Sequence, residues 1–199
     1  MAARMRMAHW LGIAVIAVLL GAAVDQAFRL SVDRGQRAEQ LALVEQLSAL
    51  LPITGAADTN TKLIKAPESL GPSAVRVLRA YQHGRPIGLV MLIADVPGYG
   101  GEIHAAVGIN YDGRLTGVEV LLHGETPGFG DVIDQQRGDW PQVFAGKSLN
   151  DPPSEAWKLA SEGGSFDGVA GATITLHALI AAVRGALEYY AQNREFLYR

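Results

Sequence analysis

The sequence predicts an α+β fold: a single N-terminal transmembrane helix followed by a mostly antiparallel sheet packed with helices. Three observations predict it. Residues 11–24 carry no charge. From Ala74 onward, short apolar runs follow one another with brief turns between them. Antiparallel strands can be joined by such turns, whereas parallel strands need crossovers of about a dozen residues or more. The chain then closes on a long stretch, Leu176 to about Arg194, whose apolar residues recur at helical spacing.

Between Ala8 and Phe28 only His9, Asp25 and Gln26 are clearly polar, and all lie near the ends. About 20 such residues, rising about 1.5 Å each, are enough for a tilted span of hydrocarbon. Trp10 and Phe28 stand where interfacial aromatics belong. The alternative is a cleaved signal peptide, with Arg4 and Arg6 as its charged end and Gly21-x-Ala23 as its cleavage pattern. Helical-looking sequence continues past that point, which favours a retained anchor. Arg4 and Arg6 before the span are balanced by Arg29, Arg34 and Arg37 after it, so charge alone does not orient it.

The chain divides into an anchor (residues 1–28), a helical linker and loop (29–69) and a globular domain (70–199). In the linker Leu41, Val44, Leu47 and Leu51 repeat at helical spacing over 36–51, and Pro52 stops the helix. Thr54 to Pro67 is rich in small and polar residues and predicts a loop. Strands are predicted over 75–82, 87–94, 102–111 and 114–122. The second is apolar throughout and should be covered on both faces. His83-Gly-Arg-Pro86 and Asp112-Gly113 are turns, the latter a strong hairpin signal, and Pro97-Gly-Tyr-Gly-Gly101 is a flexible loop. Short helices are expected near 129–136 and 139–146. In the last helix Leu176, Leu179, Ile180, Val183, Leu187 and Tyr190 form one stripe that should pack on the sheet.

Composition excludes several functions. Net charge is −3 without a basic block, which argues against nucleic-acid binding. With no cysteine, thiolate-bound zinc, iron–sulfur clusters, thiol redox and disulfides are ruled out, and no obvious metal cluster is visible. If the protein handles electrons, an organic cofactor must hold them. Ser161, Ser165 and His177 form no ordered triad and no Gly-x-Ser-x-Gly elbow, so a hydrolase is a weak reading and no catalytic residue is assigned.

Two motifs stand out. In His123-Gly-Glu-Thr-Pro-Gly-Phe-Gly-Asp131, Gly124, Gly128 and Gly130 leave room for a flat ligand near the backbone, and Pro127 fixes the bend. His123, Glu125 and Thr126 supply polar groups. The bland alternative is a strand-to-helix loop in which Thr126 or Asp131 caps the next helix. In Asp167-Gly-Val-Ala-Gly-Ala-Thr-Ile-Thr175, a small-residue turn delivers Thr173 and Thr175 to the start of the last helix. Open backbone N–H groups and the helix dipole suit a phosphate there, received by the N–H groups from Ala172 to Leu176. The alternative is that Thr173 or Thr175 merely caps a helix starting near residue 175.

Taken together, a Glu-Thr-Pro-Gly loop after the sheet and a Gly-Ala-Thr-x-Thr turn opening the last helix resemble the FMN-binding domain family. With the anchor, and with Trp140-Pro-Gln-Val-Phe-Ala-Gly-Lys-Ser148, nearly the whole chain resembles the anchored flavin subunits of Rnf-type (Rsx) ion-translocating complexes, which couple electron transfer between ferredoxin and NAD to ion movement. The resemblance implies FMN covalently bound through its phosphate to Thr173, with Gly171, Ala172 and Thr175 around the linkage. It places the flavin ring near Glu125, Thr126 and Gly128, with Glu125 and His123 as candidates to tune it. It further implies a flavin transferase that recognises Asp167, attachment after export, a domain on the periplasmic side of the inner membrane, and contacts with lipid and the other subunits. The chain would then be a redox-carrier subunit rather than a stand-alone enzyme. Ala170 departs from the family, which has Ser or Thr there, and puts transferase efficiency in question. Two alternatives share these features: the FMN subunit of a sodium-translocating NADH:quinone reductase, and an anchored module that binds its ligand noncovalently or acts as a scaffold.

Overall fold

The computed structural model describes residues 47–52, 58–64, 70 and 75–199. The membrane span predicted over 8–28 and most of the helix predicted over 36–51 lie outside these residues. Among the described residues, no helix is long and apolar enough to cross a membrane. The described residues belong to one compact unit, Leu47–Arg199.

Five strands form an antiparallel meander in sequence order: β1 (Asp58–Ile64), β2 (Val75–Gln82), β3 (Arg85–Pro97), β4 (Glu102–Asn110) and β5 (Leu115–Leu122). The last four match the predicted strands closely. β1 is a correction, since a loop was expected over 54–67. It pairs with β2 along its whole length, Asp58↔Tyr81 to Ile64↔Val75. As an edge strand it has only one neighbour, so it shows a polar sequence in which Ile64 is buried and Leu63 is exposed. β3 extends beyond the predicted 87–94 because Arg85 pairs with Gln82 and Pro97 with Glu102. A register shift interrupts it between Ile93 and Val96, where Asp95 takes φ 58°.

Leu89, Val90 and Met91 are all fully buried, so both faces of β3 are covered as expected. Val77, Met91 and Val107 face the main core. On the other face, Gly88, Gly108 and Gly117 admit the segment Leu47–Pro52. A Cβ on Gly88 would lie 2.9 Å from Pro52 Cδ, and one on Gly117 3.0 Å from Leu50 Cδ2. Thr116 Oγ1 donates to the Leu50 carbonyl.

One long helix, α1 (Thr173–Tyr198), closes the main core. Its 26 residues, at about 1.5 Å each, make it about 39 Å long. It starts and ends beyond the predicted 176–194. All six stripe residues are buried. Its C-terminal carbonyls, which a helix cannot satisfy internally, are met from the sheet. Lys62 Nζ donates to Phe196 O (2.6 Å), Arg79 Nη1 to Leu197 O (3.3 Å) and Tyr81 Oη to Tyr198 O (3.0 Å). Two of these donors are cations, which also suits the negative end of the dipole.

The helices predicted near 129–136 and 139–146 are short 3-10 turns, Gly130–Ile133 and Trp140–Phe144. Two more, Ser154–Ala156 and Ala160–Glu162, were not expected. Between β5 and α1 the rings of Trp140, Phe144, Trp157 and Phe166 pack in a chain with centroids 5.2–6.4 Å apart.

Candidate functional site

Three turns build the site, and two of them share one design. In Thr126-Pro-Gly-Phe129 the Phe129 N–H donates to Thr126 O (3.1 Å) and Gly128 sits at φ 83°. In Val169-Ala-Gly-Ala172 the Ala172 N–H donates to Val169 O (3.0 Å) and Gly171 sits at φ 82°. Both place glycine at the third position, where a type II turn demands positive φ, and Pro127 presets the second position of the first turn. The two turns touch: a Cβ on Gly171 would lie 2.7 Å from Phe129 Cδ1. The third turn is Gly98–Gly101, closed by the Gly98 N–H donating to Gly101 O (2.9 Å).

Glu125 joins the third turn to the first. It is only 7% exposed, and its Oε1 accepts the Gly100 N–H at 3.0 Å. A Cβ on Gly98 or Gly130 would collide with its carboxylate oxygens, and one on Gly100 would lie 2.8 Å from the Glu125 Cα. The loop glycines therefore seat the carboxylate of Glu125 as well as clearing space for a ligand. His123 is also engaged within the protein: Nδ1 accepts the Glu125 N–H (3.2 Å), and Nε2 lies 3.7 Å from Asp134 Oδ2. Asp131 is buried and accepts the Gly128 N–H through Oδ1 (2.9 Å). It thus closes the turn; neither it nor Thr126 caps the 3-10 helix that follows, whose first turn has no side-chain cap. Thr126, Gly128 and Phe129 are exposed.

At the start of α1 the capping alternative is corrected. The N-cap is Ala172, no side chain caps the helix, and Thr173 is already its first residue. The helix can begin there because Gly171 ends the preceding turn, so no hydroxyl is needed to start it. Ala172 N–H is taken by Val169 O and Leu176 N–H by Ala172 O, leaving Thr173, Ile174 and Thr175 as the open backbone donors. That set is narrower than the expected Ala172–Leu176. Thr173 is exposed, whereas Thr175 is 1% exposed and its Oγ1 has no hydrogen-bond partner.

Two features had escaped the sequence. Trp140 Nε1 donates to the Asp167 carbonyl at 2.9 Å, tying the exposed Asp167 segment to the aromatic chain. Asp95, Glu102 and His104 bring potential ligand atoms within 4.8 Å of one another across the β3 irregularity. His177, noted for the hydrolase reading, pairs with Glu162 at 2.9 Å on the surface.

Residues 98–188, which take in the three turns, β4, β5 and most of α1, match the FMN-binding domain family. Similar proteins are named as the G subunit of the ion-translocating oxidoreductase complex. That of Pseudomonas aeruginosa (strain UCBPP-PA14) is 43% identical over 133 residues, 66% of this chain and 62% of the relative, so the chain spans a little under two thirds of that protein. That of Vibrio atlanticus (strain LGP32) is 34% identical over 84% of this chain and 82% of the relative. That of Escherichia coli (strain K12) is 35% identical over 87% and 84%. The chain belongs to the family of G subunits of the ion-translocating oxidoreductase complex, the Rnf complex.

Proposed function

We propose that this protein is an electron-transfer subunit of an Rnf-type complex and carries FMN covalently, as a phosphoester on Thr173. The observation that carries the reading is the contrast between the two ends of α1. Its C-terminus is met by Lys62, Arg79 and Tyr81. Its N-terminus is left uncapped, with an exposed threonine as the first residue.

The residues present fit the group. Thr173 offers an accessible hydroxyl, and the N–H groups of Thr173, Ile174 and Thr175 can receive phosphate oxygens without a lysine. The orphaned Thr175 Oγ1 gains a partner if it turns to a phosphate oxygen. Gly171 and Ala172 bring the backbone close without bulk. When bound, FMN supplies the redox chemistry. The chain's part is to hold it, with Thr126 and Gly128 on the exposed side of the neighbouring turn and Glu125 fixing that turn and the Gly98–Gly101 turn together.

The naming of the relatives as parts of a complex supports a place beside the other Rnf membrane and peripheral subunits. The apolar stretch at residues 8–28 supports a single-pass anchor in lipid. With it goes a domain outside the inner membrane, on the periplasmic side, modified after export by a flavin transferase that reaches the exposed Asp167–Thr173 segment and moves FMN from FAD to the Thr173 oxygen, breaking the pyrophosphate bond and releasing AMP. The test is the intact mass of the chain co-expressed with a flavin transferase. A gain of one FMN less water, absent in Thr173→Ala, supports the reading; an unmodified mass overturns it.

A further inference from the structure

Phe129 is a large side chain of the site, on the turn that touches the attachment segment, that attachment at Thr173 leaves without a role. The residue is 58% exposed, yet its backbone sits in a hydrogen-bonded turn. Its own N–H donates to Thr126 O, and the preceding Gly128 N–H donates to Asp131 Oδ1. Gly130, next in the chain, is packed against Glu125. A turn braced on both sides thus presents an aromatic ring to solvent, where its apolar surface gains nothing.

The ring stands against Gly171, two residues before Thr173, while Ile174, the residue after it, is 56% exposed. The attachment threonine is therefore flanked by two exposed apolar side chains from different segments. A flat, largely apolar ring system tethered at Thr173 by a flexible chain can reach the aromatic face of Phe129, which stands against Gly171, and aromatic rings favour offset stacking.

Building on the Thr173 attachment, we infer that Phe129 is the platform on which one face of the flavin ring rests, with Ile174 flanking the linkage. Phe129 is a cofactor-contact residue rather than a structural one.

The test uses the full chain co-expressed with a flavin transferase, with occupancy measured first by intact mass. Phe129→Trp places an electron-rich indole, which quenches an excited flavin on contact, where the phenyl ring was. At equal occupancy it should lose most of the flavin fluorescence, while Phe196→Trp, at the far end of α1, should fluoresce like the parent. Phe129→Ala should keep the flavin mass and make its fluorescence more easily quenched by iodide. Parental fluorescence in Phe129→Trp, or parental iodide quenching in Phe129→Ala, overturns the inference and leaves the attachment reading standing. Loss of flavin from both variants with unchanged circular dichroism also overturns it, because Phe129 would then serve the transferase. A parent chain that gains no flavin overturns both.

Discussion

Gly171 lies so close to Phe129 that a single added methyl carbon would stand 2.7 Å from the ring carbon Cδ1. The residue is constrained twice, since its φ of 82° is one that side chains with a Cβ rarely adopt. Gly171→Ala should therefore cost about 1–3 kcal/mol from backbone strain, with the clash added to it. The measurement is urea unfolding of the parent, Gly171→Ala, Phe129→Ala and the double variant. Removing the ring should recover the steric part and leave the strain, so the double variant should be less destabilised than the sum of the singles. Strict additivity would show that the two turns do not bear on each other.

Glu125 should behave as a brace between loops. Glu125→Ala strands the Gly100 N–H and empties a seat lined by glycines, which should cost about 1–3 kcal/mol. Glu125→Gln keeps an acceptor for that N–H and should cost less. Hydrogen exchange at the Gly100 amide reads this directly, with faster exchange in Glu125→Ala than in Glu125→Gln. Since Thr173 lies on another segment, flavin mass should persist in both. Unchanged exchange at Gly100 would remove Glu125 from the role.

How much of this was legible in the sequence depends on the range of the interaction. The α1 stripe and strand β2 were legible because each announces itself locally, and the turn before α1 because small residues mark it; the positive φ of Gly128 and Gly171 appeared only in the structure. β1 was not, since an edge strand gains its order from the β2 ladder rather than from its own apolar residues. The role of Glu125 needed the proximity of Gly98, Gly100 and Gly130, which no spacing encodes. The same holds for the Trp140–Asp167 bond and for the Asp95, Glu102 and His104 cluster, which forms across a register shift. The capping of α1 misled for a simpler reason: two threonines at a helix start look like caps, yet Ala172 holds that place.

Trp140→Phe tests whether the attachment segment is held in place for modification. The substitution keeps an aromatic ring in the chain with Phe144 but deletes the donor to the Asp167 carbonyl. It should cost about 1 kcal/mol in stability. Flavin attachment, followed by mass over time with a limiting amount of transferase, should slow. A parental attachment rate would show that Asp167 is presented equally well without the bond.

At the opposite end of α1, Tyr198 packs among Tyr81, Tyr111 and Tyr190 at centroid distances of 5.4–6.5 Å. Burial pushes its phenol far above the ordinary 10.0, and burial raises Tyr190 as well. A raised phenol stays protonated in the folded chain while the unfolded chain loses its proton. The associated stability is thus fully present below about pH 10 and is lost as pH rises above it. Tyr198→Phe should flatten that loss without abolishing it, because Tyr190 remains. At pH 7 the variant should be about as stable as the parent, since Tyr190 Oη donates to Tyr111 O and leaves the buried Tyr198 hydroxyl at best a poorly aligned contact with Tyr190. Urea midpoints at neutral pH and above pH 10 decide this; equal losses in the two proteins would refute it.

The two threonines of the attachment turn should separate cleanly. Thr173 is exposed and Thr175 buried with an unpartnered hydroxyl, so the same kind of change has opposite consequences. Thr173→Ala removes the accessible oxygen and should abolish covalent flavin while leaving the fold intact, because no cap is lost. Thr175→Val keeps the volume but deletes the orphaned hydroxyl, so the flavin-free protein should be at least as stable as the parent by thermal unfolding. If that hydroxyl holds the phosphate, the same variant should take up flavin more slowly yet still at Thr173. Peptide mapping of the modified chain locates the bond. Flavin found on residue 175, or lost only from a Thr175 variant, would reverse the assignment and place the acceptor inside the helix rather than at its first residue.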